Sequence, residues 1–198
     1  MAARSPAGRA IPSIEQIQSN PVIGRKGEKI LTVLALDLSS SCVGWAVGAN
    51  GKVARYGKLV FKSTAGPGEK LVSFADFLTV LVTQFWPEVI VIEKPLSRRA
   101  STTARHFELL GIVRHLWFTV TGMEIPEAWL ISPMTIKSVM GVKRGANHSQ
   151  NKQIMVAKVN SLYGLRLKYS PTSKLTTEDD IADAIAVLTT YYRKYGTA

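Results

Sequence analysis

A chain of 198 residues with 46% apolar content suits one α/β globular domain with a sizeable core. Lys and Arg outnumber Asp and Glu 25 to 14, a formal charge of +11, which favours a polyanionic partner. Cys42 is the only cysteine, which excludes an internal disulfide and a Cys-based zinc site. No apolar run is long enough to span a bilayer, and no signal-peptide hydrophobic region is evident.

Residues 1–29 read as a basic, flexible N-terminal arm. Pro6, Pro12, Pro21, Gly8, Gly24 and Gly27 break any long element, and Arg4, Arg9, Arg25, Lys26 and Lys29 are opposed only by Glu15 and Glu28. Ser13 to Gln18 has the makings of one capped helical turn. A tail without a role and an organelle transit peptide are the other readings of this segment.

The folded domain is expected over residues 30–198. A first strand covers about 30–37, apolar but for Thr32 and ending on Asp37. Ser39-Ser40-Ser41 makes a polar turn into a second strand, about 43–49. Ala49-Asn50-Gly51-Lys52 is a hairpin signal leading to a third strand, about 53–62. Ser63 to Gly68 reads as a loop. Leu71 to Phe85 carries helical spacing and stops at Trp86-Pro87. A fourth buried strand, about 88–93, ends on Glu93. A second helix spans about 99–121, with Leu109, Leu110, Val113, Leu116, Trp117 and Val120 at helical intervals. Ala128 to Ile131 is a fifth strand, and Ser132-Pro133 caps a short helix, about 133–140. Gly141 to Gln150 is a basic loop, Asn151 to Leu162 a helix, and Leu165 to Thr176 a loop. Thr177-Glu178-Asp179-Asp180 opens a final helix to about Tyr192.

Three acidic patches stand out. Asp37 and Glu93 each end a buried strand, where a charge is costly unless paired. On the final helix Asp180 and Asp183 share a face; so do Asp179 and Asp183. Such carboxylates repel one another unless a cation lies between them, and hard divalent cations take oxygen ligands. Taken singly, Asp37 is a strand cap and the Glu178–Asp180 cluster complements a helix dipole. Between Lys94 and Lys152 nine Lys or Arg face three acids, Glu108, Glu124 and Glu127, so a basic region adjoins the acidic one.

The order of a strand ending in Asp, a strand ending in Glu and a helix carrying Asp-x-x-Asp-Ala resembles the RNase H-like nucleases. Within them it is similar to the RuvC group of Holliday junction resolvases, and to their phage-type relatives in particular. The resemblance covers roughly residues 31–192. It implies an RNase H-like α/β fold: a five-stranded mixed sheet flanked by helices. It implies a structure-selective DNA endonuclease that resolves four-way junctions as a homodimer in an intracellular, cytoplasmic setting. Asp37, Glu93, Asp180 and Asp183 would hold two Mg²⁺ ions, with Mn²⁺ as a substitute. Lys137 and Lys152 would assist at the scissile phosphate. Leu96, Arg98, Arg99, Arg105, Lys143, Arg144 and His148 would meet DNA. Leu96 stands where RuvC has an aromatic residue, and Leu38 where bacterial RuvC has proline. A broader branched-DNA, flap or RNA nuclease, a non-catalytic junction-binding protein, and an actin- or sugar-kinase-like ATP-binding domain are the rival readings. The last wants a Gly-rich phosphate loop where this chain has Ser39-Ser40-Ser41.

Overall fold

The structure is a computed structural model and describes residues 31–95, 100–142, 147–173 and 175–196. Five strands, β1 (Thr32–Leu38), β2 (Cys42–Ala49), β3 (Lys52–Val60), β4 (Val89–Glu93) and β5 (Leu130–Ile131), form one sheet in the order β3-β2-β1-β4-β5. β1 pairs antiparallel with β2, and β2 with β3, while β1–β4 and β4–β5 are parallel. The five helices are α1 (Pro67–Phe85), α2 (Ala100–Thr121), α3 (Pro133–Val139), α4 (His148–Tyr163) and α5 (Asp179–Tyr195). The sheet is thus mixed and flanked by helices, as expected.

Strand periodicity divides the core into two layers. Leu34, Leu36, Ile90 and Ile92 point one way and pack with Phe74, Leu78 and Leu81 of α1 and Leu109, Val113 and Trp117 of α2. Val33, Ala35, Val89 and Val91 point the other way and pack with α5, α4 and α3. Both faces of β1 and β4 are therefore buried, which is why their sequences run apolar without alternation. α5 supplies Ile181, Ala184, Ile185 and Leu188 to its layer, all at or below 5% exposure. Each fully buried Ile or Leu contributes roughly 1.5–3 kcal/mol.

The ends of several elements differ from the sequence expectation. α1 begins at Pro67, four residues before Leu71, because proline's fixed φ and missing N–H suit a first helical position. The hairpin forms as read, with Asn50 and Gly51 both left-handed at φ 47° and 76°. Ala128 and Trp129, expected as strand, belong to a 3₁₀ turn (Glu127–Trp129), leaving β5 two residues long. α4 starts at His148, inside the expected loop, because Asn147 and Gln150 close a reciprocal capping box. Val120 is 44% exposed, so it leaves the inward face of α2. The N-terminal arm lies outside the described residues.

Gly44 decides how closely α5 approaches the sheet. It lies in β2 opposite Asp37, and a Cβ built on it would stand 1.9 Å from the main-chain oxygen of Asp180. The first turn of α5 therefore rests directly on β2 backbone. Gly44→Ala should lower unfolding stability by at least about 1–3 kcal/mol, the usual cost of overpacking, since backbone cannot rotate away as a side chain can. A shift of the urea midpoint without a change of slope would measure it.

Candidate active site

The β1–β4 register pairs Leu36 with Ile92, so the next residues, Asp37 and Glu93, end adjacent parallel strands side by side. By strand alternation both share the sheet face that carries Val33, Ala35, Val89 and Val91, the face covered by α5. Asp180 and Asp183 project from the first turns of α5 toward the same place. All four carboxylates line one open pocket of about 760 Å³, together with Lys137, His148, Lys152 and Asp179. Residues 143 positions apart in sequence, Asp37 and Asp180, thus meet because Gly44 admits the helix.

Their electrostatics reflect that crowding. Burial first, then the charges of Glu93, Asp183 and Asp180, push the Asp37 carboxyl well above the ordinary carboxylate range. Burial raises Glu93 to about 7, although Lys137 and Lys152 pull it down. Burial and the Glu93 charge raise Asp183 to about 7 as well. In none of the three is a protein hydrogen-bond donor among the causes. These are carboxylates held in a shared pocket where ionisation is opposed by burial and, for Asp37 and Asp183, by neighbouring acids, Glu93 first.

Asp179 and Asp180 have different surroundings. Asp179 is buried; its carboxylate accepts from the Thr177 hydroxyl at 2.6 Å and from the Lys152 ammonium. Despite burial, those bonds hold its pKa below the usual range. Burial works against the Lys152 charge, yet the Asp179 hydrogen bond and the Asp183 charge keep its pKa above that of an ordinary lysine. Asp180 faces Cys42 instead: burial, then the charge and hydrogen bond of Asp180, push the Cys42 thiol far up, so it stays protonated. Ser39 ties the intervening turn together, its hydroxyl donating to the Cys42 carbonyl at 2.7 Å.

Of the other sequence candidates, Lys137 is exposed on α3 and reaches the pocket wall, and His148 lines the rim at the first position of α4. Arg105 pairs with Glu108 one turn on, at 2.8 Å, which leaves it half-buried on α2. Leu96, Arg98, Arg99, Lys143 and Arg144 lie outside the described residues. Three features escaped the sequence reading. His106, from α2, lines the pocket, and burial lowers its pKa. Thr177 orients Asp179. Lys58 of β3 donates to the carbonyl of Leu175 at 3.1 Å and to that of Thr177, steadying the turn before α5. The clustered acids after Thr177 were a visible signal; nothing in sequence pairs a β3 lysine with a turn more than a hundred residues later.

The donor set is chemically that of a hard divalent cation: carboxylates alone, with no thiolate or imidazole required. As the side chains stand, no three His, Cys, Asp or Glu groups among the described residues converge on one centre at ligating distance. Like charges at close quarters repel, and the four line a pocket wall instead of a single point. The raised pKa values of Asp37, Glu93 and Asp183 are the feature a cation would relieve.

A sheet of order 3-2-1-4-5, with acids ending β1 and β4 and an acidic pair on the helix that packs across them, is the RNase H-like architecture that the sequence resemblance implies. No family model matches the chain. It is 29% identical over 123 residues to the crossover junction endodeoxyribonuclease RuvC of one Prochlorococcus marinus strain, spanning 62% of this chain and 70% of that protein. It is 25% identical over 131 residues to the RuvC of a second strain, spanning 66% and 74%. Among solved structures, Thermus thermophilus RuvC in complex with a Holliday junction substrate superposes with a TM-score of 0.61 at 18% identity, over 85% of this chain and 98% of that one. The chain is similar in sequence to these RuvC endonucleases and shares their RNase H-like fold. Among the described residues no helix is long and apolar enough to cross a membrane.

The raised carboxylates make a signed prediction. Asp37, Glu93 and Asp183 bind protons more tightly folded than unfolded, where the ordinary values are 3.8, 4.5 and 3.8. Their contribution to stability is therefore complete below about pH 4 and is lost as pH rises through about 7. Without divalent cations the melting temperature should fall between about pH 5 and about pH 8. The fall should shrink in Asp183→Asn, which cannot ionise, and an increase with pH in the unsubstituted chain would contradict the electrostatic picture.

Proposed function

We propose that this chain is a Mg²⁺-dependent, structure-selective endonuclease that resolves four-way DNA junctions as a homodimer. The observation that carries the reading is the meeting of Asp37, Glu93, Asp180 and Asp183 in one open pocket, with Lys152 beside them, on a chain of net charge +11. Asp37, Glu93, Asp180 and Asp183 would hold the cations. When bound, a pair of Mg²⁺ ions would supply an activated water and stabilise the leaving oxygen of a phosphodiester. Mn²⁺ has the same taste for oxygen ligands and would substitute.

The remaining steps belong to side chains. Lys152 and Lys137 approach the carboxylates from α4 and α3, on the side that faces solvent and hence the incoming strand. Their ammonium groups would hold the scissile phosphate and offset the charge that builds on it. His148, at the start of α4, stands at the rim where the flanking backbone would run. Arg105 sits farther along α2, and Arg98, Arg99, Lys143 and Arg144 extend the basic sequence on both sides for phosphate contacts. Leu96 would press apolar surface against an opened base step.

A junction offers two equivalent strands, and a two-fold dimer offers two equivalent sites. The solvent side of α2 supports that assembly. Phe107 and Phe118 are 53% and 51% exposed, with Gly111 between them at helical spacing. Two large aromatics flanking a glycine on one helix face are what a close helix–helix seam needs.

Asp37→Asn and Glu93→Gln should each lower cleavage of a four-way junction by about 10²-fold or more, the scale of losing a preorganised transition-state stabiliser, while junction binding by gel shift stays intact. Chelation of Mg²⁺ should do the same reversibly. Equal cutting of a junction, a Y-fork and a linear duplex would replace junction selectivity with a broader nuclease.

Phe107→Asp combined with Phe118→Asp should convert the protein to a monomer by sedimentation with the fold retained by circular dichroism, and should remove the concentration dependence of its melting temperature, since neither ring belongs to the core. Paired cleavage of opposed strands should then give way to single nicks.

A further inference from the structure

Two readings of the acidic run at the start of α5 are open to the sequence, because Asp179 and Asp180 each share a helix face with Asp183. The two side chains do different things in the fold. Both oxygens of Asp179 are occupied by partners from elsewhere: Oδ1 takes the Thr177 hydroxyl at 2.6 Å and Oδ2 the Lys152 ammonium. Thr177 is itself oriented, since its hydroxyl oxygen accepts from the Ser170 main-chain N–H at 3.3 Å and its own N–H donates to the Ser173 carbonyl at 3.0 Å. A relay thus runs from the loop before α5, through Thr177 and Asp179, to Lys152 on α4. It crosses 27 positions of sequence and ends at the pocket. Asp180 has none of these partners and turns to Cys42 beside Asp37.

We propose that Asp179 is a positioning residue that fixes the ammonium of Lys152 over the carboxylate pocket, and that it is not a cation ligand. The assignment rests on the nuclease reading above and refines it. Asp179 is buried and Lys152 is 27% exposed, so the pair holds one geometry in place of the many open to a free lysine. A cation drawing on Asp179 would have to share an oxygen already bonded to Thr177 or Lys152, and the Lys152 ammonium at Oδ2 would repel it. Thr177 fixes the carboxylate plane, so Asp179 cannot turn toward Asp183 without losing that hydroxyl. The arrangement gives the chain a charged group whose place does not depend on the substrate arriving first.

The test compares Asp179→Asn, Asp183→Asn, Lys152→Ala and the double variant Asp179→Asn/Lys152→Ala in the full chain, with Thr177→Val as a milder disruption of the same relay. Asparagine preserves the shape and the Thr177 bond, so Asp179→Asn should fold. Its turnover number on a four-way junction should fall by about 10–100-fold, the usual loss when a supporting partner is removed. The half-saturating Mg²⁺ concentration and the junction dissociation constant should stay put, and Thr177→Val should shift in the same direction by less. Adding Lys152→Ala to Asp179→Asn should cause no further loss beyond Lys152→Ala alone. Calorimetric titration with Mg²⁺ alone should give Asp179→Asn the affinity of the unsubstituted protein, whereas Asp183→Asn binds about tenfold or more weakly. Multiplying losses in the double variant, or a Mg²⁺ affinity for Asp179→Asn as low as that of Asp183→Asn, would overturn the assignment. If the unsubstituted chain cuts no junction, the nuclease reading fails. The titration and a melting-temperature cycle over the same variants then decide Asp179 on their own, with an uncoupled Asp179–Lys152 pair counting against it.

Discussion

The close approach of α5 to β2 at Gly44 is the contact on which the molecule's chemistry depends. Asp37 is fixed by the β1 ladder and Glu93 by the parallel β4, but neither strand supplies a third acid. That acid comes from a helix whose main chain lies against a residue with no side chain. Any Cβ at that position would lift the first turn of α5, and Asp180 and Asp183 with it, away from the strand ends. The alanines of α5 serve the same end: Ala182, Ala184 and Ala186 have no exposure at all, so the helix can lie low along its length. Ile185 and Leu188 then provide the apolar area that holds it there.

Bringing four carboxylates together is unfavourable in itself. The fold contains the cost in two ways. Lys137 and Lys152 approach from α3 and α4 and oppose part of the charge on Glu93. The remainder appears as raised pKa values, which amount to a standing affinity for protons or cations. A protein selected only for stability would place apolar residues at these strand ends, as it does elsewhere along β1 and β4 apart from Thr32. Under the proposed function that repulsion is what bound cations would relieve, and carboxylates suit a hard divalent ion.

The two layers of the molecule divide the labour. The layer under α1 and α2 is an apolar core whose outer helix face carries Phe107, Gly111 and Phe118 to solvent. The layer under α3, α4 and α5 holds the acids, the lysines and the hydrogen-bonded loop before α5. Because β1 and β4 belong to both layers, a substitution in one strand acts on the core and the site together. Lys58 adds a further tie, linking edge strand β3 to the carbonyls of Leu175 and Thr177, so even the far edge of the sheet helps set where α5 begins.

Much of this was legible in the chain alone. Apolar runs ending in Asp37 and Glu93 announced buried strands with charged tips, since hydrophobic periodicity is a local property. The Asn50-Gly51 turn was equally plain, because only certain residues accept left-handed backbone. The start of α4 was misplaced to Asn151 because the reciprocal cap of Asn147 and Gln150 competes with a loop reading of a polar stretch. The strand at 128–131 was overlong because nothing local distinguishes a 3₁₀ turn from the end of a short strand. What tertiary structure alone decided is which partners each acid meets. Asp179 and Asp180 are adjacent, identical in chemistry and both within one helical turn of Asp183. Only the packing of α5 on Gly44 and the nearness of α4 turn one toward Lys152 and Thr177 and the other toward Cys42 and Asp37. Spacing along a helix specifies a face, but the partners on that face come from segments that sequence distance does not reveal.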